Sequence, residues 1–268
     1  MKDHDPGDHP PFAVTVDVVV LTLVDRELNV LLVERGGPPF EGLPSLPGGF
    51  VKPEESLEEA AARELQEETG VEAAEFLEQL GAYGDPDRDP RMRVVTVAFL
   101  AVLRKVEDIE AGSDAARASL VPVSEVLGGD HDLAFDHERI LTDAIESVRT
   151  KLEHTTLATA FVGPEFTLSE LRSVYEAGWS TDLDPGNFRR KWLANPGLVE
   201  PTGERRSPGP EGGKPAEVYR VAPPLAGEPG PLPSPMRAPA AAPSGPRPAG
   251  RPGAPKRRPE KKPRNRRG

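Results

Sequence analysis

The chain of 268 residues contains no cysteine. That excludes disulfides and thiolate metal sites and leaves oxygen and nitrogen as the only ligand atoms. Uninterrupted apolar runs are short as well, so no membrane span is expected. The first twelve residues, MKDHDPGDHPPF, are polar and broken by proline. Neither a secretory signal nor a transit peptide is expected there, and the expected location is the cytoplasm. Positive charge is scarce over most of the chain. The formal net charge is -11, yet residues 222–268 hold eleven Lys and Arg against two Glu, about +9, which leaves about -20 for everything before them. That last stretch is Pro, Ala and Gly with basic clusters and has almost nothing to bury, so disorder is predicted over 222–268, as over 1–11.

What is present in excess is glutamate. Residues 48–70 read GGFVKPEESLEEAAARELQEETG. Ser56 and Glu59 form a capping box and Gly70 suits a left-handed cap, which predicts a helix over 57–69 with Leu57, Ala61 and Leu65 as its buried stripe. Ala60 would leave space beside the acidic face. At helical spacing Glu64 lies next to both Glu67 and Glu68, and like charges so placed destabilise a helix. Arg63 can hold Glu67 but cannot neutralise all three. An oxygen-only set of carboxylates suits a hard divalent ion, Mg²⁺ or Mn²⁺. Gly48 and Gly49, after a strand end, permit the close backbone approach that a phosphate site needs.

Strand and helix patterns organise the rest. Residues 13–25 and 29–34 are β-branched and aliphatic around a short RELN connection and read as a hairpin. Residues 93–103 read as a buried strand, and 137–153 as a helix with Ile140, Ala144, Ile145, Val148 and Leu152 on one face. Mixed strands with helices around them predict an α/β unit, an α-β-α sandwich with a mixed sheet, over 12–153. A second unit is expected over 154–221. There Thr167 and Glu170 form a capping box for a helix with Leu168, Leu171, Val174 and Tyr175 inward. Asp184 caps a helix with Pro185 in its first turn, Phe188 and Trp192 inward, and Asn187, Arg189, Arg190 and Lys191 outward. Two strands then flank a loop expected to hold Arg205, Arg206 and Lys214. Helix, turn, basic helix and basic hairpin is the order of a winged helix, whose second helix enters the major groove while the hairpin's cations reach phosphate. Such a module also serves as a protein contact or a dimerisation surface.

The acidic segment resembles the Nudix box, G-x5-E-x7-R-E-U-x-E-E-x-G-U with U aliphatic, at Gly49, Glu55, Arg63, Glu64, Leu65, Glu67, Glu68, Gly70 and Val71. The resemblance implies a metal-dependent pyrophosphohydrolase fold acting on nucleoside diphosphates linked to another moiety. It further implies that Glu64, Glu67 and Glu68 hold cations beside Gly48, that Arg63 orients them, and that Glu55 supports Arg63. With EFTLSELRSVYEA, LDPGNFRRKWL and KPAEVYRV following, residues 12–221 resemble the Nudix-related transcriptional regulators of NAD metabolism, the NrtR family, and their ADP-ribose pyrophosphatase relatives. That likeness implies ADP-ribose or a related nucleotide in the Nudix cleft, double-stranded DNA as partner and a homodimer. It places Arg88 and Arg91 near phosphate or ribose, Arg35 near the entrance, Gly49 against the ligand, Tyr83 stacking or in the core, and Asp136 and His137 either at the ligand or capping a helix. Two positions depart from the enzymes. Arg117 and Leu120 stand where a carboxylate and an aromatic are usual, with Glu110 or Asp114 as possible substitutes, and Pro44 stands in place of a tryptophan. Turnover is therefore less firmly implied than metal and ligand binding. The same features also fit a pyrophosphohydrolase whose winged helix only dimerises it.

Overall fold

The computed structural model describes residues 10–71, 74–104, 115–194, 197–207, 214–222 and 236. The hairpin expectation is met by β1 (Ala13–Val24) and β2 (Glu27–Arg35). Next come β3 (Pro44–Ser45), β4 (Gly48–Phe50), helix α1 (Leu57–Thr69), β5 (Phe76–Tyr83), β6 (Val94–Val102), β7 (Ala115–Pro122), α2 (Val123–Gly128) and α3 (His137–His154). These strands form one mixed sheet in the order β3-β2-β1-β6-β5, with β4 on β1 and β7 on β2. Only β1 and β6 run parallel. A central strand must be apolar on both faces, which explains the unbroken run from Val18 to Leu21. Val16, Val18 and Val20 face α1 with Ala60, Ala61 and Leu65. Val19 and Leu21 face α3 with Ile140, Leu141 and Ala144. Ala60 is therefore core and does not open space beside the carboxylates, and Leu57 is only half-buried.

Both caps of α1 form. The Ser56 side chain accepts from Glu59 N–H, Glu59 accepts from Ser56 N–H at 2.8 Å, and Gly70 adopts φ 74°.

After α3 come α4 (Leu157–Val162), β8 (Glu165–Thr167), α5 (Leu168–Trp179), α6 (Pro185–Leu193), β9 (Val199–Arg206) and β10 (Ala216–Val221). β10 pairs with both β8 and β9, giving a three-stranded sheet beside the helices. Arg205 and Arg206 lie within β9 and not in the loop predicted to carry them, because the ladder continues to the Ala216–Arg206 pair. Asp184 caps α6 through Asn187 N–H at 2.7 Å. Tyr175, Phe188 and Trp192 close an aromatic cluster at centroid separations of 5.7 to 6.1 Å.

The apolar cluster under α3 is continuous with that of the second unit. Polar ties reinforce this. Arg149 Nε donates to Gly178 O at 3.2 Å, Trp179 Nε1 donates to Arg149 O at 3.3 Å, and Arg26 in the β1–β2 turn donates to Glu176 at 3.0 Å. Of residues 222–268, only Ala222 and Met236 are described. Both are buried, and Ala222 N–H donates to Leu198 O at 3.1 Å. The rest of that stretch, residues 1–9, and Glu110 and Asp114 lie outside the described residues.

Candidate functional site

β4 runs antiparallel to β1, with Asp17 opposite Gly48 and Val16 opposite Gly49. The strand is wedged so tightly that a Cβ on Gly48 would collide with Val16 O, and one on Gly49 with the Glu64 carboxylate. Side-chain-free residues are required there by close approach. The same wedge lets Gly48 N–H donate to Glu68 Oε2 at 2.9 Å, which fixes that carboxylate at the mouth of the sheet.

Arg63 organises the remaining acids. Its Nε and Nη2 clasp Glu55 at 2.9 and 2.7 Å, and its Nη1 donates to Glu64 at 2.7 Å and Glu67 at 3.0 Å. Hydrogen bonding from Arg63 and from Lys52 N–H lowers Glu55 to a pKa of about 2. The carboxylates behave differently deeper in. Burial pushes Glu68 up to about 7 against the pull of Gly48 N–H, with Glu64 and Asp17 adding like charge. Burial also raises Glu64. Arg63 thus bonds Glu55, Glu64 and Glu67, while Glu68, held by Gly48 N–H, is left with a proton affinity raised by burial.

The three glutamates are not equivalent. Glu64 is buried, Glu68 is half-buried against Gly48, and Glu67 is exposed, with Lys52 Nζ at 3.8 Å. Among the described residues no three His, Asp or Glu side chains converge as an ion-holding group. The arginine bridge explains this, since Glu64 and Glu67 both turn toward Arg63. The donor set nonetheless fits a hard divalent ion: three carboxylate side chains, two of them with pKa values raised by burial, beside a backbone with no side chains to block approach.

Bordering β4 is a cleft of about 180 Å³ lined by Arg35, Gly48, Gly49, Phe50, Arg91 and Phe135, among others. The Arg35 guanidinium lies 4.7 Å from the Phe135 ring centroid and donates to Pro39 O at 2.8 Å. Arg91 lies 5.8 Å from the Phe50 ring and pairs with Asp89 at 2.7 Å. Each guanidinium is therefore positioned beside an aromatic face, an arrangement suited to a planar, anionic ligand.

Arg88, Asp17 and His137 also border the cleft, but in a buried role. Arg88 bonds Asp136 through Nε at 3.1 Å and Nη2 at 2.7 Å, and Asp17 through Nη2 at 3.2 Å. Burial lowers its pKa, and the two carboxylates more than restore it. His137 Nδ1 accepts from Leu46 N–H at 2.9 Å, which leaves Nε2 to carry the proton 3.5 Å from Asp17. Arg88, expected near phosphate or ribose, lines the cleft with its Nε and Nη2 donors committed to Asp136 and Asp17. Tyr83 is buried, donates to Asp143 at 2.9 Å and is not among the residues lining the cleft. Arg117 is exposed on β7, Leu120 is half-buried beneath α1, and Pro44 forms part of β3.

Sequence reasoning missed Asp17, Phe50, Asp89 and Phe135. Asp17 had a signal, a lone carboxylate inside an otherwise apolar strand. Phe135, at φ 56°, had none.

On the second unit, Arg189 and Arg190 are exposed on α6, Arg205 and Arg206 on β9, and Lys214 just before β10. Lys191 is half-exposed. Arg190 donates to Asn187 Oδ1 at 2.7 Å, so Asn187 steadies a cation of its own helix. Arg206 is held by Glu170 at 2.6 Å.

Comparison with known proteins identifies both units. Residues 11–144 match the NUDIX domain model, and residues 158–221 match the NrtR DNA-binding winged helix domain. A Nudix domain joined to a DNA-binding winged helix is the class. The chain is 31% identical to the ADPR responsive transcriptional repressor NtrR of Acinetobacter baylyi, over 83% of this chain and 87% of that one. The structure resembles Shewanella oneidensis NrtR complexed with a 27mer DNA, with TM-score 0.65 and 33% identity over 78% of this chain and 94% of that one. The Nudix unit alone is 39% identical to an ADP-ribose pyrophosphatase of Methanocaldococcus jannaschii, over 50% of this chain and 73% of that one. The chain belongs to the NrtR family of Nudix-domain transcriptional regulators. Nudix hydrolases in general use divalent metal ions. No helix among the described residues is long and apolar enough to cross a membrane.

Proposed function

We propose that this protein is an ADP-ribose-responsive transcriptional regulator of NAD metabolism, acting in the cytoplasm as a homodimer on double-stranded DNA. The observation that carries this reading is the pairing of two features in one chain. The first is a cleft with Arg35 and Arg91 beside aromatic rings, whose wall residues Gly48 and Gly49 contact Glu68 and Glu64 of the acidic cluster. The second is a winged helix whose α6 and β9 expose arginines. A relative matched over 87% of its length is an ADPR responsive transcriptional repressor, a solved relative matched over 94% of its chain is complexed with a 27mer DNA, and the Nudix domain of Shewanella oneidensis NrtR has been crystallised with ADP ribose.

In this reading Arg35 and Arg91 receive the diphosphate, and Phe50 and Phe135 flank the planar part of the ligand. Arg88, Asp17 and Asp136 hold the wall rigid. Glu64, Glu67 and Glu68 hold Mg²⁺ or Mn²⁺, which when bound would neutralise the diphosphate and acidify a water. Arg63, kept in place by Glu55, sets which carboxylates face the cleft. The α6 and β9 cations of two protomers contact adjacent half-sites. The test is electrophoretic mobility of a palindromic duplex from a regulated promoter, titrated with the full-length protein with and without ADP-ribose. Binding that ADP-ribose leaves unchanged would sink the regulatory reading.

A second reading is a pyrophosphohydrolase, favoured by the intact glutamate, arginine and glycine arrangement. Phosphorus NMR of ADP-ribose with protein and Mg²⁺ decides it. AMP and ribose 5-phosphate would mean that the regulator destroys its own signal, and unchanged ADP-ribose would restrict the site to sensing.

A further inference from the structure

The wing carries a carboxylate where a DNA-facing surface would be expected to carry none. Glu217, the second residue of β10, lies directly opposite Arg205 on β9. It accepts a hydrogen bond from the Tyr219 hydroxyl at 2.5 Å and faces Arg189 of α6 at 3.4 Å. The Arg189 guanidinium also lies 6.0 Å from the Tyr219 ring centroid. Glu217, Arg189 and Arg205 line one cleft of about 370 Å³ between the start of α5, α6 and the wing. Among the described residues the charged and hydrogen-bonding groups acting on Glu217 are Arg189, Arg205 and the Tyr219 phenol, the donor set that a phosphate oxygen would receive. Hydrogen bonds from Tyr219 and Arg189, with the charge of Arg205, hold Glu217 below the usual carboxylate range, so it is ionised at neutral pH.

We infer that Glu217 is a specificity-setting residue of the DNA face, an internal anion that holds Arg189 back from phosphate. The inference rests on the reading of α6 and the wing as the DNA-contacting elements. The physical argument is a competition. On any sequence, a phosphate that approaches Arg189 must share it with Glu217 and bear the repulsion of that carboxylate. Non-specific affinity, which is almost entirely phosphate charge, is therefore reduced. On the correct sequence, base-edge contacts along α6 recover the loss, because they do not depend on neutralising a phosphate. The Tyr219 hydroxyl holds the carboxylate beside Arg189, so the penalty applies in every register.

The experiment is a double-mutant cycle on the full-length chain with Glu217→Gln, Arg189→Ala and the pair. Binding is followed by fluorescence anisotropy across a salt series, on a random-sequence duplex and on a duplex enriched from a random library by the wild-type protein. Residues 222–268 are present in all four proteins, so their contribution cancels. Glu217→Gln keeps the side chain's shape at a half-exposed position, and circular dichroism confirms the fold. Expected is a threefold to tenfold tightening on random duplex, a salt slope steeper by about one, a lower ratio of specific to random affinity, and a gain that disappears in the Arg189→Ala background. Unchanged or weaker random-duplex binding overturns the inference, as does a gain that persists without Arg189. Enrichment of no sequence by the wild-type protein would sink the DNA-reading function itself, and the inference with it.

Discussion

Gly178 of α5 and Leu152 of α3 are packed so closely that Leu152 Cδ1 occupies the space a Cβ on Gly178 would need. Leu152 is fully buried, so its Cδ1 would have to turn within a filled core. The contact joins the Nudix unit to the winged helix through the same helix that begins beside the cleft at Asp136 and His137.

Gly178→Ala is therefore expected to destabilise the protein by about 1 to 3 kcal/mol, the range for overpacking a filled core, even though alanine is the better helix former. Thermal unfolding checks this. A rise in midpoint would show that the helix–helix contact relaxes without strain.

Arg88 offers a contrasting prediction about charge. It is buried between Asp17 and Asp136, so Arg88→Met leaves two carboxylates without their cation and should cost about 3 to 5 kcal/mol. Arg88→Lys should recover only part of this, since an ammonium cannot reproduce the bonds that Nε and Nη2 make. Urea denaturation of the three proteins gives the comparison, and equal stability of the Lys variant and wild type would remove the case for a fork-specific bond.

Acid sensitivity follows from Asp17. Burial raises its pKa, but His137 and Arg88 outweigh burial and leave it below its ordinary 3.8. A depressed folded pKa contributes stability that is present above 3.8 and lost as pH falls through the folded value. Asp17→Asn should thus flatten the fall of stability below pH 3.8 relative to wild type. An unaltered acid limb, measured by urea midpoints across that range, would argue against it.

If the protein hydrolyses ADP-ribose, Glu68→Gln should lower turnover by about 100-fold or more while leaving the midpoint of thermal unfolding near that of wild type. Chelation with EDTA should lower wild-type turnover and have little further effect on the variant. Phosphorus NMR provides the rate, and equal loss of fold and activity would assign Glu68 a structural role only.

Local signals were legible residue by residue. Ser56 with Glu59, Thr167 with Glu170, and Asp184 with Pro185 each place a helix start, because a cap is satisfied within four residues of chain. The hidden parts depend on partners distant in sequence. Arg88 in a loop looks like surface charge until β1 supplies Asp17 and the start of α3 supplies Asp136, 71 and 48 residues away. Arg205 and Arg206 looked like loop cations because a bulged ladder does not announce where it ends.

Sequence alone determined the β1–β2 hairpin, β6, helices α1, α3, α5 and α6, the two strands of the wing and the arginine of the acidic helix, since each is written in spacing of a few residues. Tertiary structure decided which charges are spent on one another. Arg63 and Arg88 are enclosed by carboxylates, Glu68 is left with a raised pKa, and Glu217 holds Arg189 on the wing. Coulomb energies depend on distance and on exclusion of water, and neither exists until the chain has folded.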